Sequence, residues 1–233
     1  MSLDFTRDGV AVHENIASGS IIDRLAGEFD CSLVRVGARP FAPSATVLSL
    51  IALNGALTQL ARRLAERDVR PVRILTLNKT AEANWHLPWH QDRVVALRRR
   101  VDAEGFENWT LKGGRVHAEA PVTLLETLFS LRLHIDANDT SNGALKVVPG
   151  SHCLGRLTDR EVRDVAASHP HHVCVVAAGG VVAMRSLTIH ASDASQSQRP
   201  RRVLHLDYCF GDLPRGLEWA LDWIPGSPLV TPN

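Results

Sequence analysis

The sequence predicts a mainly β core of sandwich or jelly-roll type, preceded by a helical layer. Three observations predict it. Helical periodicity is confined to the first third of the chain, short strand-like runs follow from about residue 72, and clusters of Gly, Pro, Asn and Asp separate those runs.

The elements follow in order. Residues 20–29 read as a short amphipathic helix. Residues 44–67 (SATVLSLIALNGALTQLARRLAER) read as one long helix, with apolar residues every three to four positions and Ser44 as its cap. The strand-like runs are 72–78, 128–136, 144–150, 172–178, 181–185 and 202–210. Residues 93–127 lie between the first two runs and show no clear periodicity. So long an excursion reads either as an active-site lid or as an ordinary surface insertion. With 233 residues, the chain is long enough to bury a sizeable core as one domain. The expected division is a helical layer over 1–70, a β-core over 71–212 carrying the 93–127 insertion, and a C-terminal tail over 213–233.

Composition narrows the function classes. The 26 Lys+Arg residues balance 25 Asp+Glu, which gives no clustered basic excess for a nucleic acid or an acidic membrane. Arginine supplies nearly all the positive charge, the lysines being Lys79, Lys112 and Lys146, so a single arginine carries little weight by itself. Cys31, Cys153, Cys174 and Cys209 lack C-x-x-C spacing and read as reduced thiols. Neither a secretory signal nor an apolar run of about 18 residues is visible, so a soluble, cytoplasmic protein is expected. Monomer and homodimer both stay open.

The segment LPWHQD (87–92) is the most informative in the chain. On extended backbone, His90 and Asp92 point to the same side, roughly 6.5–7 Å apart, and Pro88 argues against a helix. His190 follows the strand-like VVAMR and offers a third ligand. Two imidazoles and one carboxylate on one face of a metal, with the other face open, is the arrangement of non-haem iron(II) oxygenases. The same trio can hold a catalytic zinc in a hydrolase. A β-sandwich binding module without catalysis is a further alternative. Downstream, alternation in RRVLHLDYCF puts Arg201, Val203, His205 and Asp207 on one face and Arg202, Leu204, Leu206, Tyr208 and Phe210 on the other. The first of these faces is too polar for a packed core and suits a wet cavity. An arginine there can grip a carboxylate through a bidentate fork, with Arg199 and Arg202 as rivals of Arg201 for that role.

Three ordered segments carry a family resemblance: LNKTAEANWHLPWHQD (77–92), LHIDANDTSNGALKVVPGSH (133–152) and RSLTIHASDASQSQRPRRVLHLDY (185–208). Together they resemble the phytanoyl-CoA dioxygenase family of iron(II)/2-oxoglutarate oxygenases. The resemblance implies a double-stranded β-helix of cupin-like, jelly-roll type with flanking helices. It implies Fe(2+) and 2-oxoglutarate as cofactors, dioxygen as cosubstrate and ascorbate as an in vitro reductant. Matched residue by residue, His90, Asp92 and His190 correspond to the iron ligands, Arg201 to the arginine on the distal carboxylate of 2-oxoglutarate, and Ser192 to a hydroxyl assisting it. Leu75 and Arg132 fall where members line the cosubstrate pocket, and Arg132 replaces the aromatic residue expected there. The implied reaction oxidises, most simply hydroxylates, a small organic molecule and releases succinate and carbon dioxide. An aspartate at 92 favours hydroxylation, desaturation or ring formation over halogenation. Candidate substrate contacts are His134, two residues beyond Arg132, and Trp109, Lys112, Arg115 and His117 on the insertion. His86 and Trp89 are assigned to packing, His152 to bracing a turn, and His169, His171 and His172 to a solvent-exposed loop.

Overall fold

A computed structural model describes residues 2–31, 39–40, 43–80 and 83–221. The first third holds α1 (Phe5–Asp8), β1 (Val10–His13), α2 (Gly19–Cys31), β2 (Arg39–Pro40), α3 (Ala45–Ile51) and α4 (Ala56–Ala65). Next come β3 (Arg70–Lys79), β4 (Leu87–His90), β5 (Val94–Leu97), β6 (Glu107–Lys112), β7 (Arg115–Glu119), α5 (Val122–Leu125) and β8 (Leu128–His134). The remainder comprises β9 (Leu145–Val147), a 3₁₀ turn (Ser151–Leu154), α6 (Asp159–Ser168), β10 (His172–Cys174), β11 (Val181–Arg185), β12 (His190–Ser192) and β13 (Arg201–Cys209).

The antiparallel strands form a large sheet, β1-β11-β8-β13-β3-β2, and a smaller facing sheet, β10-β9-β12-β4. This is the double-stranded β-helix, a jelly roll that the helices flank on one side. Alternation along each strand of the large sheet sorts its residues between two environments. Phe129, Leu131, Leu133, Val181, Ala183, Leu204, Leu206 and Tyr208 are buried together with Leu25, Leu50, Leu57 and Leu60 of the helices. The Tyr208 hydroxyl and the Thr58 hydroxyl lie 3.1 Å apart, which ties β13 to α4. Between the two sheets, one end of the interior is apolar, filled by Val10, Leu145, Val147, Cys174, Val182 and Met184. The other end carries polar side chains and is described below.

Three expectations need correction. The helix expected over 44–67 is two helices, broken between Ala52 and Gly55. Ser44 does cap the first, accepting a hydrogen bond from the Val47 amide at 3.2 Å. The break brings the chain back onto itself: a Cβ at position 55 would lie 2.3 Å from the Leu50 carbonyl oxygen, so only glycine fits. The region 1–70 is not purely helical either, because β1 pairs with β11 at the edge of the large sheet. The insertion has regular structure in place of an irregular excursion. Strands β5, β7 and β6 form a third sheet whose Val95, Leu97 and Ala118, with Phe106, Leu124 and Leu125 nearby, pack against Leu128, Cys209 and Trp219. Of the expected C-terminal tail, residues 222–233 lie outside the described residues, as does the side chain of Cys31.

Candidate metal centre and cosubstrate pocket

Local folding of LPWHQD places its two candidate ligands. His90 ends β4, and the Asp92 amide donates to the Ser186 carbonyl at 2.9 Å. Gln91, between them, points the other way and is buried. Its amide nitrogen donates to the Gly155 and Leu187 carbonyls at 2.8 and 2.7 Å, and its oxygen accepts from the Leu157 amide at 2.9 Å. Alternation therefore turns His90 and Asp92 inward, and three hydrogen bonds from the residue between them hold that orientation. His190 opens β12, which pairs antiparallel with β4 so that His190 stands directly opposite His90.

One ligand atom from each of His90, Asp92 and His190 lies within 4.8 Å of the others. The two imidazole centroids are 4.1 Å apart. Each Nδ1 sits beside the carbonyl two residues earlier, Pro88 at 2.8 Å and Thr188 at 2.9 Å, so each Nδ1 is the donor and each Nε2 keeps a lone pair for the centre. The two Nε2 atoms are 3.7 and 3.5 Å from the Asp92 carboxylate. Burial pushes His190 well below the usual imidazole range, so it is neutral at physiological pH. Burial works against the charge of Asp92, but His190, His90 and Arg132 outweigh it and hold the carboxyl well below its ordinary value. Two imidazoles and one carboxylate are a donor set suited to a single divalent transition metal.

Beside this trio, the inner wall of the large sheet is cationic. Arg201, 5% exposed, donates to the Gly143 carbonyl and, at 3.1 Å, to the Ser192 hydroxyl. Lys79 stands directly opposite Arg201 across the β13–β3 pairing and donates to the same hydroxyl at 2.8 Å. Burial, then Arg201, lowers Lys79 to about 7, and burial, then Arg132, lowers Arg201 to about 10. Gly143 closes the corner: a Cβ there would meet the Asp193 carbonyl at 2.4 Å and Lys79 Nζ at 3.2 Å. His134 is buried and neutral, lowered to about 3 by burial, Arg201 and Arg132. Arg201 Nε, Arg132 Nε and His134 Nδ1 are buried without a hydrogen-bond partner among the described residues. Buried unpaired donors beside uncompensated cations are what a dicarboxylate would satisfy, so the pocket fits 2-oxoglutarate as the trio fits iron.

Arg202, the rival of Arg201, faces the other way and pairs with Asp136 at 2.8 Å, while Arg199 pairs with Asp139 on the surface. Leu75 shares the Lys79 side of β3 and stands opposite His205. His205 donates to Asp207 at 2.8 Å, and Asp207 also pairs with Arg73, which completes a partly buried polar network on this wall. The insertion candidates lie on β6 and β7 of the third sheet. Lys112 is exposed at the end of β6, and Trp109 stacks on Phe106 with centroids 6.2 Å apart. His117 is half-buried, bonded through Nδ1 to the Arg115 carbonyl at 2.9 Å. Trp89 packs against His171, and His152 fills the space over Gly9. Sequence reading missed Lys79 and Gln91 as site residues. Counting by two from Leu75 along β3 reaches Lys79, so strand periodicity held that signal.

The profile of a family described as phytanoyl-CoA dioxygenase (PhyH) matches residues 5–203. The chain belongs to this family. It is accordingly an enzyme of the 2-oxoglutarate-dependent non-haem iron oxygenases. Comparison with curated proteins gives no match. Among solved structures, the fold is similar to the non-heme alpha ketoglutarate dependent epimerase SnoN from nogalamycin biosynthesis, with TM-score 0.65 and 17% identity over 88% of this chain and 80% of that one. It is similar to AviO1 from Streptomyces viridochromogenes Tue57, with TM-score 0.60 and 23% identity over 92% and 98% of the two chains. A third similar structure is HygX from Streptomyces hygroscopicus with nickel and 2-oxoglutarate bound, with TM-score 0.62 and 17% identity over 88% and 84%.

Proposed function

We propose that the enzyme hydroxylates a small organic molecule, holding one ferrous ion with His90 Nε2, His190 Nε2 and an Asp92 carboxylate oxygen. The convergence of these three donors within 4.8 Å, with both Nδ1 atoms engaged on backbone carbonyls, carries the reading. Bound ferrous iron supplies the chemistry that couples oxidative decarboxylation of 2-oxoglutarate to oxidation of a substrate C–H bond. The protein's own residues bind and orient. Arg201, with the Ser192 hydroxyl, grips the distal carboxylate of the cosubstrate, Lys79 adds a second positive charge, and Leu75 and His134 line the same wall. Asp92 occupies a ligand position that would have to stand open for a halide, which favours hydroxylation over halogenation. Proteins of similar fold include an epimerase and a carbocyclase of nogalamycin biosynthesis, so the fold accommodates other oxidative outcomes.

A substrate screen that follows succinate release tests this directly. The expected result is release that requires Fe(2+) and 2-oxoglutarate and is abolished in His90→Ala with the fold intact. Turnover with zinc and without succinate, or full activity in His90→Ala, contradicts it.

A further inference from the structure

Arg132, on the inner wall, touches the metal ligands as well as facing the cosubstrate pocket. It is 7% exposed, and its Nη2 lies 3.2 Å from Asp92 Oδ2 and 3.2 Å from His190 Nε2. His190 Nδ1 is committed to the Thr188 carbonyl, so His190 Nε2 is an acceptor and the arginine its donor. A guanidinium keeps its proton under any condition the fold survives. The arginine therefore makes the same demand on the same lone pair as a metal ion bound there, and it does so as a permanent cation.

We propose that Arg132 is an internal counter-ion of the Asp92–His190 pair that competes with the metal and ties metal affinity to the cosubstrate. The proposal rests on the metal centre proposed above. A dication entering the trio must take His190 Nε2 from Arg132 and share the Asp92 carboxylate with its guanidinium, which weakens binding of the metal alone. A dicarboxylate offsets that charge and offers acceptors to the guanidinium, including its Nε, which has no partner among the described residues. The two ligands then bind with positive coupling, and the coupling is reciprocal. Arg132 acts as a positioning residue, through Asp92 and His190.

Calorimetric titration of metal-stripped full-length protein with Mn(2+), a redox-stable probe, tests this with and without 2-oxoglutarate. Without 2-oxoglutarate, Arg132→Met is expected to bind Mn(2+) about tenfold more tightly than the wild type, and the gain that 2-oxoglutarate brings is expected to shrink by a similar factor. Arg132→Lys keeps the charge and should follow the wild type, and Arg132→Gln serves where the methionine variant does not fold. Thermal unfolding adds a readout that a purely structural arginine would not move: the neutral variant should melt below the wild type when metal-free, with the gap narrowing under saturating Mn(2+). Equal or weaker Mn(2+) binding by the neutral variants, or a melting gap that Mn(2+) leaves unchanged, overturns the proposal and leaves the metal centre standing. A wild type that binds no Mn(2+) overturns both.

Discussion

Strand β13 meets two different environments one residue apart. On its outer face, Leu204, Leu206 and Tyr208 are fully buried against the helices, and Arg202 is matched by Asp136. On its inner face, Arg201 and His205 are also buried and Asp207 is half-buried, yet the same wall holds more cations than carboxylates and leaves Arg201 Nε without a partner among the described residues. The outer residues of β13 serve stability, through apolar packing and the Arg202–Asp136 pair. The inner face is complete only with ligands, and its unpaired buried groups cost stability that a metal and a dicarboxylate would return.

The largest effect that sharpens this contrast belongs to the outer face. Leu206→Ala should cost about 2–5 kcal/mol of unfolding free energy in urea denaturation, with 2-oxoglutarate affinity unchanged in the folded protein. Arg201→Ala should do the opposite, raising the 2-oxoglutarate requirement about ten- to hundredfold because a charge-assisted fork is worth about 1.5–3 kcal/mol. Arg202→Ala should lower stability and leave that requirement alone. If Arg202→Ala gave the cosubstrate phenotype, the faces would be exchanged and the register wrong by one residue.

The smallest effect is a pH slope. In the free enzyme Lys79 is lowered to about 7, first by burial and then by Arg201. Below that pH it is charged and attracts the dianion. Above it, binding must take up a proton, so 2-oxoglutarate affinity should fall as pH rises, by at most about tenfold per pH unit. Lys79→Met should bind more weakly at pH 6.5 and show a flatter profile. The same group makes stability rise with pH between about 7 and its ordinary value of 10.5, because over that range the unfolded chain holds the extra proton.

The residues of the site differ in how well the sequence displays them. His90 and Asp92 were legible because alternation on extended backbone needs only local spacing, and Pro88 removed the helical alternative. The two faces of β13 were legible for the same reason. His190, 98 positions beyond Asp92, could be reached only through motif order, since the β12–β4 register that sets it against His90 is a long-range property. The insertion sheet stayed hidden because β6 (ENWTLK) is exposed or half-exposed along its whole length, and so carries no apolar period. The break at Gly55 was hidden because apolar spacing continues across it, while the close approach to Leu50 exists only in three dimensions.

Anaerobic equilibrium dialysis of Fe(2+) in the presence of 2-oxoglutarate tests the metal centre most directly. One iron per chain is predicted for the wild type and for His134→Ala, and none for His190→Ala. Iron retained at full stoichiometry by His190→Ala, or absent from the wild type, would contradict the assignment of these three side chains to a single site.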